Sequence, residues 1–332
     1  MNIKKNLIFR LDLDSGKYAG TGHLTRITKI YYFLKKKFPK INFVFLYKNL
    51  ENSKSMLDAI TKKNHFIFNK NFEKKLNFLN KDDVIICDTP FGIDNDLKKF
   101  ITKKKISRVL LIDDLNKPKI DKCTIINGII YFKKRIKPHK NNKIFQGPEY
   151  VFLDKVYAQR TNKSNQRNLT ILVSSGGTDR KNNLFKIINC LKNISKIKIL
   201  LIIGSQVKKS NKVFKLKDKK ITFVMNKKNI YKYFCQSDLC LTAGGITMFE
   251  SLALERPTLV YQAHNHQKYA INYFLKTKSI KLIGKYNKIY EKKIIKIISN
   301  YKPNNKISNL NSDINGKSYF RVVKIINNFI KK

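Results

Sequence analysis

Between Leu241 and Gln267 the chain reads LTAGGITMFESLALERPTLVYQAHNHQ, and several of these residues are of types that handle phosphate and ribose. Gly244-Gly245 ends an apolar run and opens a helically spaced stretch carrying Thr247 and Glu250. Glycines let a backbone come close to a phosphate, and the first N–H groups of a helix have no partner inside it. Glu250 falls one turn further on, where a carboxylate can accept from ribose hydroxyls. A second apolar run, Pro257 to Tyr261, ends in the polar cluster His264, Asn265, His266 and Gln267, which can orient a ligand. Together these residues suit a nucleotide-sugar.

A second reactive group lies near the N-terminus. The run RLDLD leads through a polar loop to Gly20-Thr21-Gly22-His23-Leu24-Thr25-Arg26. Gly20 and Gly22 permit a tight strand-to-helix turn, and His23 lands in the first turn of the helix. A neutral imidazole there can take a proton from water or a hydroxyl, and Arg26 one turn later can meet a substrate anion. Asp12-Leu13-Asp14 has the spacing of a D-x-D pair that could hold a hard cation, and Asp113-Asp114 ends another strand. Such pairs are common by chance, and no His, Cys and carboxylate set has zinc spacing, so neither metal nor cofactor is expected. In the C-terminal half, Ser174-Ser175-Gly176-Gly177-Thr178-Asp179, with Asn182 and Asn183 opening the next helix, is a further glycine turn able to present N–H groups.

These residues must be positioned by alternating strands and helices. Apolar runs at Leu7–Leu11, Ile41–Tyr47, Asp83–Cys87, Arg108–Ile112 and Thr124–Asn127 predict strands. Between them, Leu24, Ile27, Tyr31, Leu34 and Phe38 form one apolar helical stripe. The series restarts at Leu169–Ser174, Ile197–Ile203, Ile221–Val224, Asp238–Thr242, Thr258–Tyr261 and Ile280–Ile283. Continuous apolar strands between amphipathic helices imply parallel sheets covered on both faces. In the helix after Gly245, Phe249, Leu252 and Ala253 are the expected buried stripe, with Glu250 facing away. Residues 133–143 are basic and polar, and Gln159–Asn168 is almost wholly polar, so the inter-domain linker is placed at 159–168. The domains are then 1–158 and 169–332, with a terminal helix over 319–330 that packs back on the first. The expected fold is α/β, two doubly wound Rossmann-like parallel-sheet domains facing a cleft, with ligands beyond the carboxyl ends of the strands.

The bulk composition narrows the partners. The chain has 332 residues, 42% hydrophobic and 28% charged, with 70 Lys+Arg against 22 Asp+Glu for a formal charge of +48. Only nine of the basic residues are Arg, the type that dominates base readout, so no specific nucleic-acid binding is expected. Weak electrostatic association with membrane surfaces is. Five scattered cysteines without a C-x-x-C pair read as free thiols of a reducing, cytoplasmic compartment. Arg10, Asp12 and Asp14 interrupt any signal-peptide core, and no apolar run approaches the ~20 residues of a membrane span. A monomer is expected.

The combined pattern resembles the UDP-sugar hydrolase of pseudaminic acid biosynthesis and its spore-coat-polysaccharide relatives. More distantly it is similar to the GT-B glycosyltransferase that completes lipid II. The matching pieces are Arg10-x-Asp12, Gly20-x-Gly22-His23-x-x-Arg26, Gly147-Pro148-x-Tyr150 with Leu153, and Gly176-Gly177-x-Asp179 with Asn183. Further on come Ala243-Gly244-Gly245-x-Thr247-x-x-Glu250, Arg256-Pro257, and Asn265 with Gln267. They follow the family's order over nearly the whole chain. Two pieces depart from it: the fourth strand ends in Asp88-Thr89-Pro90 where the hydrolases have Asp-x-Tyr, and the loop from Asp12 to Gly20 is longer. Both belong to the sugar side.

The resemblance implies a GT-B fold with UDP held mainly by the C-terminal domain. Gly244, Gly245 and Thr247 would contact the pyrophosphate, Glu250 the ribose, and Val224 and Met225 the uracil. His23 would be the general base, activating water to displace UDP at the anomeric carbon with inversion and without metal. Asp12, Gly20, Gly22, Arg26, Gly176, Gly177, Asn183, Asn265 and Gln267 complete the expected substrate contacts. The expected function is hydrolysis of a UDP-linked amino or deoxy sugar in surface-glycan or nonulosonate synthesis. A GT-B glycosyltransferase with a hydroxyl acceptor is the alternative, and a non-enzymatic polyanion-binding protein a remote third.

Overall fold

The computed structural model describes residues 5–12, 22–48, 57–58, 60–61, 64–89, 92–112, 120, 122–128, 141–159, 168–179, 181–225, 229–301 and 314–331. Asp14, Gly20, Thr21, Asp113-Asp114 and most of 159–168 lie outside these residues, as does the side chain of His266.

The first sheet is built from β1 (Asn6–Leu11), β2 (Asn42–Tyr47), β3 (His65–Ile67), β4 (Val84–Asp88), β5 (Arg108–Ile112), β6 (Thr124–Asn127) and β7 (Lys143–Gln146). Its spatial order is β3-β2-β1-β4-β5-β6-β7, every pair parallel. β1 and β4 are buried along their whole length, which is why their sequences run apolar without alternation.

The second sheet comprises β8 (Leu169–Ser174), β9 (Ile197–Ile203), β10 (Ile221–Met225), β11 (Leu239–Ala243), β12 (Thr258–Gln262), β13 (Lys281–Lys285) and β14 (Lys288–Ile289). Its order, β10-β9-β8-β11-β12-β13-β14, repeats that of the first, and only the final hairpin is antiparallel. Helices of eight residues or more among the described residues are α1 (Gly22–Lys37), α2 (Asn95–Lys103), α3 (Asn183–Leu191), α4 (Ile246–Ala253), α5 (Lys268–Lys276), α6 (Glu291–Ser299) and α7 (Ser318–Lys331). The fold is therefore α/β with two doubly wound sheets.

By contact the chain divides into one unit of 1–129, 133–152 and 320–332 and another of 130–132 and 153–319. Each sheet has its own core. In the first, Ile8, Val44, Ile85, Val109 and Ile125 pack with Leu97 and Phe100 of α2. In the second, Ile171, Ile199 and Leu241 pack with Leu184 and Ile188 of α3 and Ile294 of α6.

The observed elements differ from the predicted ones in two ways. β3, β7 and β14 are short strands at sheet edges, and their residues carry no continuous apolar run. In α4 the buried residues are Thr247, Met248, Ser251 and Leu252, whereas Phe249 is only partly buried, its ring edge-on to Phe274. The stripe is thus rotated from the expected one, because polar Thr247 and Ser251 are the side chains turned to the sheet.

Candidate functional site

In each sheet the strand order reverses at one place, between β1 and β4 and between β8 and β11, and crevices form at such switch points. Asp12, Asp88, Gly176 and Gly244 lie at the carboxyl ends of those strands, whereas Met225 ends β10 and Asn265 and Gln267 follow β12.

In the first unit, β1 and β4 pair in parallel with Leu11 opposite Asp88, so the Asp88 side chain stands where β1 runs out. α1 then begins at Gly22 and presents His23 and Arg26 on adjacent turns. His23 Nδ1 lies 2.6 Å from Asp88 Oδ1. Arg26 grips the same carboxylate with both arms, Nε to Oδ2 and Nη2 to Oδ1, each at 2.7 Å. The Asp88 side chain is fully buried, while His23 and Arg26 keep 17% and 15% exposure. Burial works against charge on Asp88, but the Arg26 guanidinium and His23 outweigh it and hold its carboxyl below the usual range. An ionised Asp88 only accepts, so it favours the proton of a neutral imidazole on Nδ1, the tautomer in which the Nε2 lone pair can accept a proton.

A second ion network lies beside it. Arg10, wholly buried, bonds Asp12 Oδ1 at 2.5 Å and Asp94 Oδ2 at 2.8 Å, and its guanidinium lies over the Phe68 ring. Lys48 reaches Asp94 from the other side at 3.0 Å. Burial works against the Arg10 charge, yet Asp12 and Asp94 outweigh it and raise its pKa. Asp94 is lowered in turn: burial opposes its charge, and Arg10 and Lys48 overcome that. The expected substrate contact Asp12 is thus buried, with Oδ1 engaged by Arg10. Gly22 has open space around its Cα among the described residues.

In the second unit the two glycine turns adjoin. Gly176, with φ +78°, faces Thr247, whose Oγ1 would stand 3.9 Å from a Cβ placed on that glycine. Asp179 fixes the turn by accepting from the N–H groups of Asn183 and Leu184 at 2.8 and 3.2 Å. Burial raises the Asp179 pKa despite these bonds. Gly204, at the end of β9, backs the turn so closely that a Cβ there would collide with the carbonyl oxygens of Gly176 and Gly177. Gly244 packs on Ile271 of α5, and Gly245 precedes α4 with the Gln267 amide nitrogen over it. Gln267 is buried and its Oε1 accepts from the N–H groups of Ala263 and His264, which leaves the amide N–H₂ turned toward that glycine.

Other expected contacts are engaged elsewhere. Asn183 is buried and donates to the Tyr286 carbonyl at 2.9 Å, with Oδ1 lacking a hydrogen-bond partner among the described residues. Asn265 accepts from the Tyr286 hydroxyl. Val224 is buried and its neighbour Met225 is 46% exposed, on opposite faces of β10. The Glu250 carboxylate bonds the Tyr157 hydroxyl, and Tyr157 is held edge-on by Tyr231 and Phe234. Burial first, then Glu250, pushes the Tyr157 phenol far above its ordinary value, so it stays a donor.

Asp88 as the partner of His23, Gly204 and Tyr157 are the residues that sequence reasoning missed. An acid ending an apolar run was the available signal for Asp88. Among the described residues no three His, Cys, Asp or Glu side chains cluster as a metal site, and no described helix is long and apolar enough to cross a membrane.

No protein-family model matches the chain. It is 27% identical over 274 residues to the spore coat polysaccharide biosynthesis protein SpsG of Bacillus subtilis, covering 76% of this chain and 77% of that one. An uncharacterised protein of Methanocaldococcus jannaschii is 28% identical over 213 residues, 59% of this chain and 43% of that one. Among solved structures, MurG of Acinetobacter baumannii superposes with TM-score 0.59 at 12% identity, covering 98% of this chain and 99% of that one. CalG4, the calicheamicin glycosyltransferase, gives 0.58 at 8% identity over 100% and 99%. HepE of Anabaena, in complex with UDP, gives 0.54 at 13% over 98% of each chain. The fold is GT-B.

Proposed function

We propose that the protein is a GT-B enzyme that transfers a sugar from UDP to a hydroxyl acceptor. The observation that carries this reading is the His23–Asp88 pair at the switch point of the first sheet. Asp88 holds the imidazole in the tautomer whose Nε2 is free to take the acceptor's proton. As that proton moves to Nε2, the acceptor oxygen bonds to the anomeric carbon from the face opposite the phosphate. The bond to the β-phosphate oxygen breaks, its electron pair leaves on UDP, and the configuration inverts.

The second unit supplies the nucleotide side. Thr247 and the start of α4 face the diphosphate, where leaving-group charge develops. Gly176, Gly177, Gly244 and Gly245 let it approach the backbone closely, although the N–H groups of Gly176, Gly244 and Gly245 are already given to Ser174, Tyr261 and Ala243. Glu250, steadied by Tyr157, takes the ribose hydroxyls, and Met225 the base. Support comes from the fold shared with a glycosyltransferase and with a protein solved with UDP bound. The name of the Bacillus relative points the sugar toward surface polysaccharide.

A second reading keeps the same donor and base and puts water in the acceptor's place. It rests on the motif order shared with the UDP-sugar hydrolases of nonulosonate synthesis. One experiment separates the two. The pure protein is incubated with a panel of UDP-sugars, with and without an extract of glycan and lipid acceptors, and UDP release is followed. Release that requires the extract supports transfer, and equal release without it supports hydrolysis. If UDP does not bind at all, both readings fall.

A further inference from the structure

The first unit carries a groove of about 600 Å³ on the edge of its sheet opposite His23. It opens at Arg108, Thr124 and Lys143, the first residues of β5, β6 and β7, whereas His23 and Asp88 belong to the carboxyl ends. One wall is α7, through Arg321, Lys324, Ile325, Asn328 and Phe329, which share a helical face at i, i+3, i+4, i+7 and i+8. This is not the face that fills the core, since Val322, Val323, Ile326 and Ile330 are the buried apolar positions of the same helix. Arg321 fastens the wall by donating to the Glu149 carbonyl, and the opposite wall is the edge-to-face pair Phe145 and Tyr150.

Two properties coincide here. The charge is of one sign: Arg108, Lys122, Lys143, Arg321 and Lys324 line the groove with no carboxylate among the described lining residues. Two of the five arginines among the described residues, Arg108 and Arg321, stand here. Among these cations both walls carry apolar side chains, Ile325 and Phe329 on one and Phe145 on the other. A free phosphate would use the cations and gain nothing from the rings. A nucleic acid would need a continuous basic track rather than one short groove. A lipid phosphate with its first methylenes uses both, as a basic amphipathic face at a membrane surface does.

We infer that this groove is a docking site for anionic phospholipid, holding the protein to a membrane surface by a lipid phosphate and the start of its acyl chain. The groove sits at the amino-terminal edge of the strands, so a bound lipid leaves the carboxyl edge with His23 unobstructed.

The test is co-sedimentation with vesicles of phosphatidylglycerol and phosphatidylcholine at physiological salt, with pure phosphatidylcholine vesicles as reference. R108E/K324E is compared with K208E/K209E, which changes the net charge equally on exposed residues of the second unit. The groove pair should weaken binding at least about twenty-fold and the control less than about threefold. I325S, which leaves the charge unchanged, should weaken it about five-fold, with its melting transition measured alongside. Equal losses in the two charge pairs, or full competition by inorganic phosphate, would overturn the site and reduce the attraction to the general basic coat. A folded I325S that binds like the wild type would overturn the acyl contact. Should I325S not fold, the two charge pairs, which alter side chains outside the core, still decide the matter.

Discussion

His23 Nδ1 and Asp88 Oδ1 stand 2.6 Å apart although 65 positions separate them in the chain. The distance follows from topology. β1 and β4 are adjacent only because the sheet is doubly wound, and their register sets Leu11 beside Asp88. Arg26 completes the arrangement by neutralising the carboxylate that orients the imidazole.

If Nε2 of His23 removes the acceptor's proton, His23→Gln lowers turnover by roughly 10²–10⁴-fold while UDP affinity changes less than about twofold. Single-turnover UDP release and calorimetric titration of UDP measure the two quantities. A parallel loss of UDP affinity would place His23 in binding instead.

Asp88→Asn separates orientation from fold. The amide can no longer hold the Nδ1–H tautomer against Arg26, so turnover falls while the backbone is kept. The variant loses about 1.5–3 kcal/mol at pH 7, the range for a hydrogen bond to a charged group. The pH dependence has a definite sign. Folding depresses the Asp88 pKa, so its stabilisation is present above about pH 4 and is lost as pH falls through the folded-state value. Urea titrations at pH 7 and pH 3 should show the gap between wild type and variant closing in acid.

Glycine substitutions rank the positions. Gly204→Ala would drive a Cβ into the backbone of Gly176 and Gly177, costing about 1–3 kcal/mol and displacing that turn, with weaker UDP binding. Gly22→Ala meets nothing within 4 Å among the described residues and stands at the first position of α1. The helical gain there is smaller than in a helix interior, so stability stays equal or rises by less than about 0.5 kcal/mol. Thermal melts of both variants check the order. A loss of activity in a stable Gly22→Ala protein would mark space that a ligand needs.

Tyr157→Phe tests whether Glu250 needs its partner. Removing the hydroxyl frees the carboxylate and weakens UDP by about 1 kcal/mol, a fivefold change. Glu250→Gln should weaken it more, and the double variant no further than Glu250→Gln alone. Additive losses would show that Tyr157 and Glu250 act separately.

The sequence by itself determined most of the strands and which residues stand at several strand ends. The strands Arg108–Ile112, Thr124–Asn127, Leu169–Ser174 and Ile197–Ile203 were read at their observed bounds, because a strand buried on both faces must be apolar throughout. The glycine turns at 176 and 244, and His23 at a helix start, were legible because turns and helix starts are local. Tertiary structure decided which strand ends are neighbours, and so paired His23 with Asp88 and set Gly176 against Thr247. It also turned Thr247 and Ser251 inward in α4, gave Asp12 to Arg10, and placed Tyr157 on Glu250. The edge strands β3, β7 and β14 escaped notice because a strand paired on one side needs little apolar sequence. Apart from the Arg10–Asp12 pair, whose members are neighbours in the chain, these outcomes rest on contacts between residues from separate elements, which local periodicity does not encode.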